Sequence, residues 1–352
     1  MKKQSNNNQV KLSIVMPVYN HLNLVEEMID SIIANDFQDW KLLAIDDGTT
    51  EDTHKIIEKY QNDSRIEFIA RQRTPKGAQT CRNIGLELAT GEYIIFFDSD
   101  DYIAPYCLSQ RVSAMEVNKD ADVIVFPSGT YIEGKFHKEA SLNVYGYPIF
   151  KDDIQAFAEK TLPYIVWNNI YRTEALRKHH IVWDEKLLSL QDSDFNLQVL
   201  LHGLQTIYAQ NSMPDYAYRI ENHGKSVSKK ISSKEHLESH IHHLRKDISS
   251  IQAKYGHQYD KYLHRGNLFI YNRSMTSGLL PDFAKQLVNL EKEFHMKSYP
   301  LFKLQIIANK LLGKLLPAKI TRQAIMLKYL LQQRKDRNYK IQSINSINEK
   351  NN

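Results

Sequence analysis

Short apolar runs alternate with amphipathic stretches over residues 11–230. Runs rich in β-branched and aromatic residues predict strands at residues 11–18, 40–45, 65–70, 93–97, 121–126, 206–209 and 215–220. Apolar residues at helical spacing predict helices at residues 22–34, 50–60, 78–88, 105–118, 153–162 and 193–202. Strands that alternate with helices indicate the α/β class with a mostly parallel sheet, in which ligands bind at the carboxyl ends of the strands.

The apolar run from Tyr93 to Phe97 ends in three carboxylates, Asp98, Asp100 and Asp101. The run has the length and composition of a buried strand, so we expect the carboxylates at the mouth of the sheet. Carboxylates at this spacing repel one another unless a cation lies between them, and Mg²⁺ and Mn²⁺ prefer oxygen ligands. The pattern alone leaves two interpretations open, a divalent metal site and an acidic turn that caps the next helix.

The pattern changes character along the chain. Residues 128–148 show no clear period, and beyond residue 232 long helices are predicted. We therefore expect a flexible N-terminus, an α/β catalytic domain, a helical C-terminal region and a disordered tail, at residues 1–10, 11–230, 231–340 and 341–352.

Composition restricts the class of protein. The 352 residues are 42% hydrophobic and 25% charged, as in ordinary soluble proteins. No apolar run approaches the roughly 18 residues that span a bilayer, and the polar N-terminus does not resemble a secretory signal. The two cysteines, Cys81 and Cys107, form no framework and fit a reducing cytoplasm.

Residues 300–337 hold nine lysines and arginines against one acid, although the whole chain carries a net charge of only +5. Apolar residues recur at helical spacing in the same segment. One interpretation is a helix that packs on the catalytic domain, and the other is a helix that lies on a membrane surface. Aromatic residues suited to stacking on bases are sparse there, so no nucleic-acid partner is expected.

Five motifs, taken in order, resemble glycosyltransferase family 2, the inverting enzymes of GT-A fold that use nucleotide-sugar donors. They are Pro17-Val18-Tyr19-Asn20, Asp46-Asp47-Gly48-Thr49, Gly77 through Arg82-Asn83-Ile84-Gly85, Gly91-Glu92-Tyr93 and Asp98-Ser99-Asp100-Asp101. A weaker match runs through Trp167, Trp183-Asp184-Glu185 and Gln191-Asp192. The resemblance covers about residues 11–230 and implies the GT-A nucleotide-diphospho-sugar transferase fold.

The resemblance implies a set of donor-binding residues, namely Pro17, Tyr19, Asn20, Asp46, Asp47, Arg82, Asp98, Ser99 and Asp100. Tyr19 matches the aromatic that stacks on the base, and Asp47 matches the carboxylate that accepts a hydrogen bond from it. Arg82 matches a basic residue near the nucleotide, although it could instead pair with a nearby acid. Asp98, Asp100 and Asp101 match the acidic motif that holds Mn²⁺ or Mg²⁺.

Asp192 matches the general base that takes the proton from the acceptor hydroxyl, and its alternative role is to cap a helix. Asp194 is a rival base. Trp167, Gln191 and His223 are candidates for contacts with the acceptor or with phosphate.

Two positions depart from the family pattern. Gln191 stands where the family often has Glu, and Asn169 stands where it often has Lys. These departures keep open a catalytically inactive protein that binds nucleotide sugars. A nucleotidyltransferase is a further alternative, because it also combines an α/β sheet with a metal.

The resemblance implies a metal-dependent glycosyltransferase that moves a hexosyl or N-acetylhexosaminyl group. The expected donor is a UDP-sugar, and the expected acceptor is a hydroxyl of a glycan or lipid-linked glycan in surface polysaccharide synthesis. We expect a cytoplasmic protein, peripheral at the inner face of the plasma membrane if residues 300–337 bind lipid.

Three histidines, His236, His240 and His243, recur at positions i, i+4 and i+7 of a predicted helix. Such spacing could bind zinc. The surrounding residues are charged and no second group of ligands is evident, so a solvated helix face is the preferred interpretation.

Overall fold

The computed structural model describes residues 10–139, 145–220, 233–276, 281–315, 323, 331 and 334–346. The chain divides into two compact units. Unit 1 comprises residues 1–147, 164–185 and 202–221, and unit 2 comprises residues 148–163, 186–201 and 222–352. The boundary near residue 230 stays a prediction, but residues 148–163 and 186–201, well before that boundary, belong to unit 2.

A seven-stranded sheet forms the centre of unit 1. Its strands are β1 (Leu12–Val18), β2 (Trp40–Asp46), β3 (Ile66–Ala70), β4 (Tyr93–Phe96), β6 (Val123–Val125), β9 (Asn169–Arg172) and β10 (Thr206–Tyr208). The order is β10-β6-β9-β4-β1-β2-β3. All pairs are parallel except those of β9, which runs antiparallel between β4 and β6. The expected mostly parallel α/β sheet is confirmed.

Helices flank this sheet, namely α1 (Leu22–Ile33), α2 (His54–Tyr60), α3 (Ala78–Leu88), α4 (Cys107–Val117) and α6 (Thr173–Lys178). In α1, Val25, Met28, Ile29 and Ile32 recur on one face and are buried in the core. Helix α3 packs closely on β1, because a Cβ atom added at Gly85 would lie 2.2 Å from a methyl group of Val15. This close approach needs glycine and places α3 beside the carboxyl end of the sheet.

A second sheet of unit 1 contains β5 (Tyr102–Ile103), β7 (Ser128–Ile132), β8 (Lys135–His137) and β11 (Tyr216–Arg219), in the order β5-β11-β7-β8. The β7–β8 hairpin was not predicted. Its two-residue turn is Glu133-Gly134, and both residues have positive φ, as the favoured hairpin turns require. The Glu-Gly pair, flanked by the strand-forming residues Tyr131 and Ile132 on one side and Phe136 on the other, was the signal that could have identified this hairpin.

Unit 2 is helical in the residues that the structure describes. Its helices are α5 (Asp153–Ala158), α7 (Gln191–Leu201), α8 (Lys234–Tyr255), α9 (Asp260–Thr276), α10 (Pro281–Glu293) and α11 (Tyr299–Leu315), and residues 334–346 are also helical. Helix α5 ends earlier than predicted, and Lys160 and Leu162 after it take positive φ. None of the described helices is both long and apolar enough to cross a bilayer.

Candidate functional site

The acidic loop, residues 98–101, follows β4 in unit 1. Asp101 in this loop is fully buried, and it accepts hydrogen bonds from the Tyr216 hydroxyl at 2.6 Å and from the Arg219 backbone N–H at 2.7 Å. Burial, together with the charges of Asp100 and Asp98, raises the pKa of Asp101 well above its usual range. Both oxygens of this carboxylate therefore have partners in β11, and Asp101 holds the loop in place.

Asp98 is the first carboxylate of the acidic loop and is partly exposed. Its Oδ1 accepts a hydrogen bond from Nη2 of Arg82 at 2.6 Å, and the Arg82 side chain is nearly buried. The Arg82 guanidinium also lies 4.5 Å from the ring centroid of Trp183. Helix α3 thus brings one cation next to the loop, and the sequence-based alternative that Arg82 pairs with an acid is what the structure shows.

Asp98 and Asp100 suit a divalent cation. Asp100 is exposed, and its backbone carbonyl accepts a hydrogen bond from Nε of Arg219 at 2.7 Å, which orients the loop. Mg²⁺ and similar ions typically take only one or two protein carboxylates and complete their shell with water and phosphate oxygens. Two carboxylates that reach solvent, beside a buried third, therefore fit such an ion.

The loops that follow β1 and β2 are hydrogen-bonded to each other at the carboxyl ends of these strands. Val18 and Asp46 lie opposite each other at these ends. Oδ1 of Asp46 accepts from the Thr49 N–H at 2.8 Å, and Oδ1 of Asn20 accepts from the Thr50 N–H at 2.8 Å. These bonds fix the backbone N–H groups of Thr49 and Thr50 in the loop. Helix α2 therefore begins at His54 rather than at the predicted residue 50.

Tyr19 and Asp47, the predicted base-binding residues, lie at this same edge. Tyr19 is exposed, and the Lys76 ammonium lies 3.7 Å from the centroid of its ring. Asp47 is buried, and its Oδ1 accepts from Nε of Arg71 at 2.7 Å and from the Gly77 N–H at 2.9 Å. Arg71 and Lys76 were missed by the sequence analysis, although both lie in the basic loop after β3.

Residues of the weaker motif near Glu185 form hydrogen bonds that hold α3 in position. Oε1 of Glu185 accepts from Nη2 of Arg73 and from Nδ2 of Asn83, both at 2.8 Å. The Asn83 side chain also bonds both backbone polar groups of Trp183. These motif residues fix the helix that carries Arg82.

Trp167 does not reach the surface. It is 3% exposed and its ring stacks on that of Tyr216, with the centroids 4.6 Å apart. Asn169, the second departure from the family pattern, is buried and donates to the Tyr171 hydroxyl at 2.7 Å. His223 lies outside the described residues.

Asp192 and Asp194 lie in the first turn of α7, in unit 2. Asp192 is half-buried, whereas Asp194 is fully buried with its Oδ2 2.8 Å from the Lys246 ammonium. Gln191 donates from Nε2 to the Leu187 carbonyl at 2.9 Å, so its amide closes the turn before the helix.

Three buried side chains of unit 2, Asp194, His243 and Asp247, have potential ligand atoms within 4.8 Å of one another. They could hold a metal ion. The Lys160 ammonium, however, contacts Asp247 and lies 3.1 Å from Nε2 of His243. Together with Lys246 it provides two positive charges against two carboxylates, so the cluster is charge-balanced by its own residues.

The solvated helix face predicted for the histidines is wrong. His240 and His243 are both buried. Burial lowers the pKa of His240 to about 4 and that of His243 well below its usual range.

Residues 13–179 match the sequence model described as "Glycosyl transferase family 2". Among curated proteins, the chain is 29% identical over 194 residues to the uncharacterized glycosyltransferase EpsJ of Bacillus subtilis, covering 53% of this chain and 55% of EpsJ. It is 25% identical over 226 residues to the poly(ribitol-phosphate) β-N-acetylglucosaminyltransferase TarS of Staphylococcus aureus, covering 62% of this chain and 37% of TarS. The chain thus spans about half or less of these relatives.

The fold is also that of a solved structure, S. aureus TarS 1–349 in complex with UDP-GlcNAc. The TM-score is 0.64 at 19% sequence identity, and the alignment covers 96% of this chain and 92% of that one. The likeness establishes the expected GT-A fold.

Proposed function

We propose that this chain, whose residues 13–179 match the glycosyl transferase family 2 model, transfers one sugar, with inversion, from a nucleotide-diphosphate sugar to a hydroxyl. The proposed acceptor is a glycan or lipid-linked glycan in bacterial surface polysaccharide synthesis. The donor is a UDP-sugar that carries a hexosyl or N-acetylhexosaminyl group. Two relatives support the proposed acceptor and the proposed sugar group by their names, a poly(ribitol-phosphate) β-N-acetylglucosaminyltransferase and a poly(ribitol-phosphate) β-glucosyltransferase.

One observation carries the proposal. Tyr19 and Asp47 follow β1 and β2, Arg82 lies on α3, and Asp98 follows β4, all at the carboxyl edge of one sheet. An aromatic face and a carboxylate suit a base, and the Arg82 cation beside exposed carboxylates suits a diphosphate with its counterion. This series of groups matches the parts of a nucleotide-diphosphate sugar.

Asp98 and Asp100 would hold Mn²⁺ or Mg²⁺. When bound, this ion supplies Lewis-acid stabilisation of the diphosphate leaving group. Arg82 adds a fixed positive charge on the same side, and Asp101 keeps the loop from moving away as charge develops on the leaving group.

Asp192 is the proposed general base, and its role is to take the proton from the acceptor hydroxyl as that oxygen attacks the anomeric carbon. Attack from the side opposite the leaving diphosphate inverts the configuration of that carbon. Asp192 suits this role better than Asp194, because Asp192 is half-buried whereas Asp194 is fully buried.

We also propose contact with the cytoplasmic face of a membrane through α11. Leu301 is 69% exposed and Leu304 is 62% exposed, and Ile307 and Leu311 are also exposed. Phe302 and Ile306 of the same helix are buried. One face of α11 therefore packs within unit 2 while another presents leucines to solvent beside Lys303, as expected of an interfacial helix.

The test is a product assay on the purified chain with a panel of UDP-sugars and glycan acceptors, with and without Mn²⁺. We expect UDP and a glycosylated acceptor in equal amounts. Release of pyrophosphate would instead indicate a nucleotidyltransferase. Donor binding by calorimetry, without turnover on any acceptor, would indicate an inactive binding protein.

A further inference from the structure

A column of aromatic rings stands beside the acidic loop in unit 1. The ring of Phe97 lies 5.2 Å from that of Tyr216, and Tyr216 stacks on Trp167 with an angle of 9° between the planes. Tyr218 continues the column, with its centroid 6.3 Å from that of Trp167 and an angle of 16°. Phe97, Tyr216 and Trp167 are buried, whereas Tyr218 is 43% exposed. The column thus ends in a single ring that reaches the surface.

The position of Tyr218 relative to the acidic loop follows from β11. Residues two apart in a strand point to the same face, about 7 Å apart. Tyr216 holds Asp101 through its hydroxyl, so Tyr218 is the next side chain on the face that carries the loop. Arg219, the residue after it, bonds the loop through its backbone N–H and its Nε. The exposed ring therefore sits on a rigid strand beside the carboxylates.

Tyr218 also lies on a particular side of the loop. Trp167 lies in the short turn before β9, and β9 pairs with the edge of β4 opposite to β1. Tyr19 and Asp47, which we assign to the base, follow β1 and β2 on the other side. The ring is thus on the far side of the acidic loop from the nucleotide, where the sugar end of the donor meets the acceptor.

The Tyr218 ring has the properties of a sugar platform. A pyranose has one face of C–H groups that packs on an aromatic plane and a rim of hydroxyls that remain in water. Tyrosine offers a large surface with few rotatable bonds, and stacking on Trp167 orders it before any ligand arrives. Burial raises the pKa of the Tyr218 phenol to about 12, so the hydroxyl stays protonated and can donate a hydrogen bond.

We propose that Tyr218 forms a binding subsite for a pyranose ring of the acceptor glycan. The proposal deepens the proposed function and rests on it. It assigns to Tyr218 the contact that the sequence analysis expected of Trp167, because Trp167 lies beneath the surface and supports the ring that is exposed.

The first experiment measures sugar binding without turnover. Saturation-transfer NMR is recorded on the full chain with UDP and Mn²⁺ present and with chitobiose or maltose as the probe. We expect transfer to the C–H protons of the sugar in the wild type and in Tyr218→Phe, and its loss in Tyr218→Ala. Equal transfer in Tyr218→Ala would overturn the proposal. Met213→Ala, which also removes an exposed apolar side chain of unit 1, is the control.

The second experiment separates the two sugars of the reaction. With UDP-GlcNAc or UDP-glucose as donor, Tyr218→Ala should raise the KM for the acceptor about five- to tenfold, as loss of one aromatic contact does. The KM for the donor and the affinity for UDP should not change. A rise in the donor KM alone would assign the ring to the donor sugar and overturn the proposal. If the wild type transferred no sugar, the proposed function itself would fail, whereas an active wild type with an unaffected Tyr218→Ala variant would refute only the subsite.

Discussion

The ammonium of Lys246 lies 2.8 Å from Oδ2 of Asp194, and the Asp194 side chain is fully buried. The neighbouring ammonium stabilises this carboxylate, and burial keeps it out of contact with solvent. Asp192, two residues earlier in the same turn, is half-buried. The two aspartates that compete for the role of general base in the sequence therefore have different surroundings.

This difference predicts that two matched substitutions affect different properties, one the rate of reaction and the other the stability of the fold. Asp192→Asn should lower kcat by about 10²–10⁴-fold, the usual contribution of a general base, with the donor KM unchanged. Asp194→Asn should instead lower the thermal midpoint of unfolding, because it removes the buried negative charge that lies 2.8 Å from the Lys246 ammonium. Steady-state kinetics and thermal melts of both variants test this. A stable Asp194→Asn protein with the larger loss of kcat would show that Asp192 is not the base.

The exposure of Asp100 predicts that it can be changed without harm to the fold. Asp100→Ala should abolish the increase in donor affinity that Mn²⁺ produces, and it should leave the melting temperature within error of the wild type. Isothermal titration with UDP, with and without Mn²⁺, measures this. Asp120→Ala removes an exposed carboxylate outside the acidic loop and serves as the control. Unchanged Mn²⁺ dependence in Asp100→Ala would exclude this residue as a ligand.

Buried His240 predicts that acid weakens the fold. Its pKa is lowered from 6.5 to about 4 by burial, so the unfolded chain binds the proton more tightly than the folded one. The stability from this group is present above pH 6.5 and is lost as pH falls through about 4. Its contribution to the unfolding free energy is about 3 kcal/mol.

Denaturant unfolding at several values of pH measures this loss. In His240→Leu the unfolding free energy should fall less steeply between pH 6.5 and 4, by the slope that corresponds to about one bound proton. The exposed His54→Leu variant is the matched control. Equal slopes for His240→Leu and the wild type would mean that His240 is not the group responsible.

The two faces of α11 predict separable effects. The exposed pair Leu301→Glu and Leu304→Glu should abolish sedimentation with anionic liposomes and leave the melting temperature unchanged. Phe302→Ala should lower the melting temperature, because a large buried side chain is lost. Each lysine or arginine near an anionic surface contributes about 1 kcal/mol, so binding should weaken with salt. Full-length protein that ignores such liposomes at low salt would rule out the membrane contact.

The strands and motif loops of unit 1 were predictable because their signals are local. The β-branched run at Leu12–Val18 and the polar residues after it are read from neighbouring positions. The partners of Asp101 were not predictable, since Tyr216 and Arg219 lie more than 100 residues away. The grouping of Asp101 with the metal ligands stays a prediction, made from its spacing and from the family resemblance.

The histidines of α8 show a different limit. Their spacing is visible in the sequence, but the charged neighbours favoured solvent exposure. His243 is buried beside Lys160, which lies 83 residues earlier in the chain. In the same way, no local signal reveals that β9 inserts antiparallel between β4 and β6.

The hydrogen bonds from β11 to Asp101 also have a consequence for synthesis of the chain. Tyr216 lies 115 residues after Asp101, and the family match ends at residue 179. While the ribosome is still translating that interval, the nascent chain already contains Tyr19, Asp47 and Arg82 but not the strand that secures the acidic loop. The acidic loop can therefore form these contacts only after translation has passed Arg219.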